Sequence, residues 1–175
     1  MSVTEKNPSF KKLSPAQYTA QGAIIAALYV VLTMIFAPIS FGWNGSMQLR
    51  IAEALTILPL FTPAAIPGLF IGCILANWLS GAIIWDVIFG SIATLIGAYF
   101  GYLLRKNRFL VPIPAIIANT VIVPLVLKFG YGVDLPLPLS ALYVFIGEVA
   151  GCYVLGELLA TVILKRSSIL KLIKR

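Results

Sequence analysis

Apolar positions in this chain are gathered into long runs, and polar ones mark the ends of those runs. A polar lead, residues 1–15, carries Lys6, Lys11 and Lys12, and an apolar run then extends from Ala16 to Ala37 and stops at Pro38. A helical crossing of a bilayer needs about 20 apolar residues, with roughly 17 to 25 tolerated. The stretch 16–37 therefore predicts a first transmembrane helix. It is too long for a typical signal sequence and has no convincing small-x-small cleavage site after it, so it is expected to stay in the mature protein. A loop over 39–48 containing Gly, Asn and Trp follows, then apolar stretches over 49–61 and 63–79, with Pro59, Pro63 and Pro67 at their junction. Proline breaks or starts a helix because it lacks an N–H. At 1.5 Å per residue the stretch 49–61 is too short to cross alone. Either it runs on through the prolines, or it is a partial span shielded inside a bundle. Runs over 85–104, 109–127 and 139–164 complete six predicted helices.

Composition narrows the class. Apolar residues make up 60% of the 175 positions and charged ones 11%, against about 25% charged in an ordinary soluble domain. A soluble domain of this size could not hide that much apolar surface, and disorder needs the opposite composition. Histidine is absent, and Cys73 and Cys152 both sit in apolar runs. That removes His-based catalysis, most zinc sites and a disulfide framework. No G-x-x-x-x-G-K-[ST] phosphate loop occurs, so ATP is not bound in that manner.

The net charge of +7 is explained by topology rather than by nucleic acid. With six spans, the lead, the turn holding Arg105, Lys106 and Arg108, and the tail holding Lys165, Arg166, Lys171, Lys174 and Arg175 fall on one side. Eleven of the 13 Lys and Arg residues lie there, and Arg50 and Lys128 fall on the other side. The positive-inside rule then places both termini in the cytoplasm. The expected fold is an all-α integral membrane protein, a compact six-helix bundle over 16–164 with a cytoplasmic lead, 1–15, and a basic tail, 165–175, forming a single domain.

Small residues allow helices to approach closely in lipid. Gly68/Gly72, Gly97/Gly101 and Gly147/Gly151 form G-x-x-x-G pairs, expected to pack within the bundle. The first helix carries Gly22/Ala26 and Ala23/Ala27, with Ala20 adding a turn. That stripe could equally dock another membrane subunit.

Ionisable groups within a membrane are expensive and mark functional sites. Of the six acids, Glu5 and Asp134 fall in aqueous segments, whereas Glu53, Asp86, Glu148 and Glu157 lie in or beside spans. Arg50 and Glu53 are three residues apart and are expected to face the same way, the alternative reading being a merely self-satisfying pair. Asp86 opens the fourth span, where an acid suits the helix N-terminus. Glu148 and Glu157, nine residues apart, point to opposite faces, so Glu157 is expected to snorkel or to pair with Arg105 or Lys165. All three tryptophans fall on the outer side: Trp43 beside Asn44, Trp78 beside Asn77, and Trp85. Asn119 and Tyr143 lie inside the last two spans. An interfacial aromatic belt would explain the tryptophans, but a belt would populate both faces. Arg50, Glu53, Asn77, Asp86 and Glu148 together suggest a polar pocket open to the outside.

The run from Gln48 to Arg105, with "RIAEALT-LP", "FTPAAIPGLFIGC", "LAN" and "D-IFGS-AT", resembles the QueT family. Those proteins are substrate-binding S components of energy-coupling factor (ECF) transporters assigned to queuosine precursors. The resemblance implies a six-helix S component of the bacterial plasma membrane. It also implies a helix 1 motif, matched by Ala20, Ala23 and Ala27, that docks on a transmembrane coupling subunit, with two ATPase subunits supplying the energy. The implied ligand is a 7-deazaguanine such as queuine or its aminomethyl or cyano precursor. A carboxylate, Glu53 or Glu148, can accept the two N–H groups of its guanine edge. Arg50 would orient that carboxylate or meet the carbonyl, with Asn77 and Asp86 completing the polar ring. Trp43, Trp78 or Trp85 could stack on the ring. Asn44, Asn119 and Tyr143 are further candidates. Neither a metal nor a cofactor is expected, and the chain is expected not to be an enzyme. Rival readings are an S component for another vitamin-like ligand and an autonomous secondary carrier, although no internal repeat of the kind such carriers show is found.

Overall fold

The computed structural model describes residues 13–37 and 50–166, and these contain helices, turns and loops but no strand. Lys6, Lys11, Lys12, Lys171, Lys174, Arg175, Trp43 and Asn44 lie outside the described residues.

Helix α1, Pro15–Ile35, begins where the sequence supplies a capping box. The Gln17 amide donates to Ser14 Oγ at 3.3 Å, the Ser14 amide donates to Gln17 Oε1 at 3.1 Å, and Pro15 takes the position that needs no N–H. The stretch expected at 49–61 is a 3-10 helix, Ile51–Leu60, that includes Pro59 and ends in a turn before Pro63 and Pro67. Its ten residues at about 2.0 Å rise cover about 20 Å, more than the same residues would as α-helix. Ala52 to Pro59 are all buried, so its backbone is screened by protein, the condition for irregular helix at membrane depth. Helix α2, Ala65–Leu79, and helix α3, Ile84–Leu103, follow. Helix α4, Ile113–Leu125, passes into a π-helical turn, Val126–Gly130, just after Pro124. Helix α5, Leu137–Glu148, a π-helical segment, Val149–Leu155, and helix α6, Gly156–Lys165, form one continuous rod of 29 residues.

Among the described residues, four helices are long and apolar enough to cross a membrane: Pro15–Ile35, Ile84–Leu103, Arg108–Gly130 and Leu137–Lys165. Their outward faces are apolar, with Ile24, Leu28, Phe100, Ile117, Phe129 and Val154 among the exposed side chains. This is the inverse of a soluble protein's surface, and lipid is what such a surface suits.

Two of the glycine pairs, Gly68/Gly72 and Gly97/Gly101, do the packing expected of them. A Cβ on Gly68 would stand 2.7 Å from the Gly22 carbonyl oxygen, and one on Gly72 would stand 3.0 Å from Ala26 Cα. Helices α1 and α2 thus run parallel at close range, which requires the chain to return between them, as the 3-10 helix does. On the other side a Cβ on Gly97 would lie 2.6 Å from Ala115 Cα, and one on Gly101 would lie 2.7 Å from the Val111 carbonyl oxygen, so α3 and α4 pack antiparallel. Gly151 meets the Arg50 carbonyl oxygen at 2.9 Å by the same measure. The 3-10 helix is therefore central, touching α1, α2, α3, the π segment and α6.

Candidate functional site

The polar residues singled out by the sequence converge where the 3-10 helix begins. Arg50 precedes its first turn and Glu53 lies within it. Asn77 comes from the end of α2, Asp86 from the first turn of α3, Asn119 from α4, and Glu148 from the end of α5. All six side chains are buried.

The pairings differ from the expected ones. Arg50 does not close an ion pair with Glu53. Its Nη2 lies 3.4 Å from Asp86 Oδ1, because both residues sit at the same end of adjacent elements. Gly90 makes room for this: a Cβ there would stand 3.0 Å from Asp86 Oδ1 and 3.8 Å from Arg50 Nη1. Asp86 also accepts from the Tyr131 hydroxyl at 3.2 Å, and Asn77 Nδ2 donates to the Asp86 carbonyl at 3.2 Å. Glu53 accepts from the Tyr29 hydroxyl of α1 at 2.6 Å. Cys152 Sγ lies 3.0 Å from Glu148 Oε2, one helical turn away, and 4.0 Å from Glu53 Oε2.

Ligand atoms of Glu53, Glu148 and Cys152 all lie within 4.8 Å of one another, which is the spacing of a small metal centre. The 3.0 Å sulfur–oxygen contact is, however, what a protonated thiol makes when it donates to a carboxylate, whereas a metal would require the thiolate. Asn119 is fully buried with its amide N–H facing Glu148, and its Oδ1 has no hydrogen-bond partner. An unpaired buried amide oxygen is uncommon and marks a place where a ligand can be bound.

Not every candidate reaches this cluster. Trp78 is 69% exposed, and Trp85 is 54% exposed and stacks on Phe89 on the outside of α3. Outward-facing Trp at helix ends is what interfacial anchoring produces. Tyr143 is half-buried and makes no hydrogen bond to the cluster. Trp43 and Asn44 lie outside the described residues. Glu157 pairs with Arg108 at 3.2 Å rather than with Arg105 or Lys165. Sequence reasoning missed Tyr29, Cys152, Tyr131 and Gly90. The signal available was spacing: Cys152 is one turn from Glu148, and Gly90 is one turn from Asp86.

Two small-residue stripes on α1 separate. Gly22 and Ala26 are used against α2, whereas Ala20, Ala23 and Ala27 are exposed. Ala23 and Ala27 line an apolar groove of about 630 Å³ between α1 and α2.

Described residues that are helical without strands, with four membrane-length apolar helices and a buried charged cluster among them, define a multi-pass membrane protein built around an internal polar site. A family model described as QueT transporter matches residues 19–165, and the chain belongs to that family, a family of transporters in the bacterial membrane. Queuosine precursor transporter QueT of Lactococcus lactis subsp. cremoris (strain MG1363) is 40% identical over 84 residues. That alignment covers 47% of this chain and 47% of the relative, so the match spans about half the length of each. No solved structure matches.

Proposed function

We propose that this chain is the substrate-capture S component of an ATP-driven ECF importer, binding a queuosine precursor of the 7-deazaguanine type in the cluster around Arg50, Glu53 and Glu148. The observation that carries the reading is the burial of these groups, with Asp86, Asn77 and Asn119, inside a chain of the QueT transporter family. The relative's name supports the ligand class. Buried ionisable groups in a membrane bundle are retained for substrate rather than for stability. Glu53 or Glu148 accepts the guanine edge, Arg50 orients the acceptors through Asp86, and Asn77 and Asn119 supply amide contacts. Tyr29, held on Glu53, fixes the carboxylate's direction.

In this reading the chain passes the membrane six times, the 3-10 helix being the shortened second pass, and both termini are cytoplasmic. The cluster, at the end opposite Arg105 and Lys165, then opens outward. Ala20, Ala23 and Ala27 dock on the coupling subunit, whose two ATPase partners supply the phosphate loop this sequence lacks. Calorimetry of the purified protein against a panel of deazaguanines and B vitamins tests the assignment. Tight binding of a deazaguanine is expected, and tight binding of a vitamin alone would end the queuosine reading.

A further inference from the structure

Three acids and one base are buried together in the cluster: Glu53, Asp86 and Glu148 against Arg50. Arg50 and the Tyr131 hydroxyl both bind Asp86. Glu53 and Glu148 are each met by a neutral donor, the Tyr29 hydroxyl and the Cys152 thiol. Among the described residues neither forms an ion pair. Lys128, which shares with Arg50 the side away from the eleven other basic residues, is exposed, and residues 38–49 contain no Lys or Arg. The two carboxylates nonetheless have ligand atoms within 4.8 Å of each other, and like charges that close repel strongly away from water.

The Asn119 amide oxygen, which has no donor, is the second pointer. The residue is fully buried and lies beside Glu148. One carboxylate suffices for the two N–H groups of a guanine edge. A neutral deazaguanine would leave the second carboxylate with only its tyrosine or thiol donor and the Asn119 oxygen with none. An ammonium carries three N–H donors and one positive charge, which answers both the surplus acceptors and the surplus negative charge.

We infer that the Glu53–Glu148–Asn119 corner makes the site selective for ligands bearing a protonated amine, so that aminoalkyl deazaguanines are preferred to those with an uncharged substituent such as a nitrile. This rests on the deazaguanine reading above and narrows it. The amine is charged near neutral pH, as other aliphatic amines are.

The test is equilibrium binding to the full purified chain at neutral pH, comparing 7-aminomethyl-7-deazaguanine with 7-cyano-7-deazaguanine. The aminomethyl ligand is expected to bind at least about tenfold more tightly, the effect of one charge-assisted hydrogen bond. Glu148→Gln should reduce that ratio to less than about threefold, by weakening the aminomethyl ligand more than the cyano ligand. Glu148→Asp, which keeps the charge, should retain the preference and serves as the folding control. Equal native affinities, or a Gln variant that weakens both ligands alike, would overturn the amine selectivity while leaving the deazaguanine reading standing. If neither ligand binds, both ideas fall.

Discussion

Arg50 and Asp86 are each almost wholly withdrawn from solvent, with 8% and 3% of their side chains exposed. Removing one partner of such a pair strands the other charge, at a cost of about 3–5 kcal/mol. Arg50→Met or Asp86→Leu alone should therefore greatly lower the unfolding midpoint in detergent, whereas the double substitution recovers much of the loss. Additive losses would show that the two charges do not depend on each other. Tyr29→Phe is a milder case. It leaves the Glu53 carboxylate without its 2.6 Å donor and should destabilise by about 1–2 kcal/mol, the range found for single hydrogen bonds inside membranes. It should also weaken substrate binding, since Glu53 loses its fixed direction. At this scale the sequence was informative about membership and poor about pairing. A charged or amide side chain within an apolar run stands out, so Arg50, Glu53, Asn77, Asp86, Asn119 and Glu148 were all visible. Which acid Arg50 meets depends on how α3 sits against the 3-10 helix, and that information is not local. Tyr29 escaped because a tyrosine on a first helix reads as ordinary apolar surface.

Helix contacts here are set by backbone approach rather than by side-chain bulk. A Cβ at Gly97 would press 2.6 Å against the Cα of Ala115, whereas one at Gly156 would meet its neighbours at an ordinary 3.5 Å. Gly97→Ala should thus destabilise by about 1–3 kcal/mol through overpacking, while Gly156→Ala stays near neutral. Denaturation midpoints of the two variants measure this, and equal effects would contradict the close α3–α4 approach. The glycine spacing made these contacts legible in advance, as the capping box did for the start of α1. The 3-10 geometry of Ile51–Leu60 and the π segment after Glu148 were not legible. Both are small changes in hydrogen-bond register imposed by neighbours, the Gly151–Arg50 contact among them, and the apolar composition of these stretches is compatible with a plain α-helix. The paired alanine stripes of α1 show the same limit. Spacing revealed both, but only packing showed that Gly22 and Ala26 are used internally while Ala23 and Ala27 stay on the surface.

For the molecule as a whole, the distribution of basic residues predicts orientation. With Cys73 and Cys152 replaced by Ala, single cysteines at Lys106 and Lys165 should react with an impermeant thiol reagent only from the cytoplasmic side, and one at Gly132 only from outside. Labelling of Lys106 and Gly132 positions from the same side would refute the arrangement. Ala23→Leu and Ala27→Leu fill the exposed groove on α1 and should abolish co-purification with the proposed coupling subunit without altering ligand affinity. Undiminished association would remove α1 as the docking face. Both experiments concern the assembly, whereas the central claim concerns the buried cluster. Its most direct measurement is titration of a 7-deazaguanine into the purified chain, native and with Glu53→Gln or Glu148→Gln. Saturable one-to-one binding that weakens by about tenfold or more in at least one of the two variants is the predicted result. Native affinity retained in both variants would contradict the account.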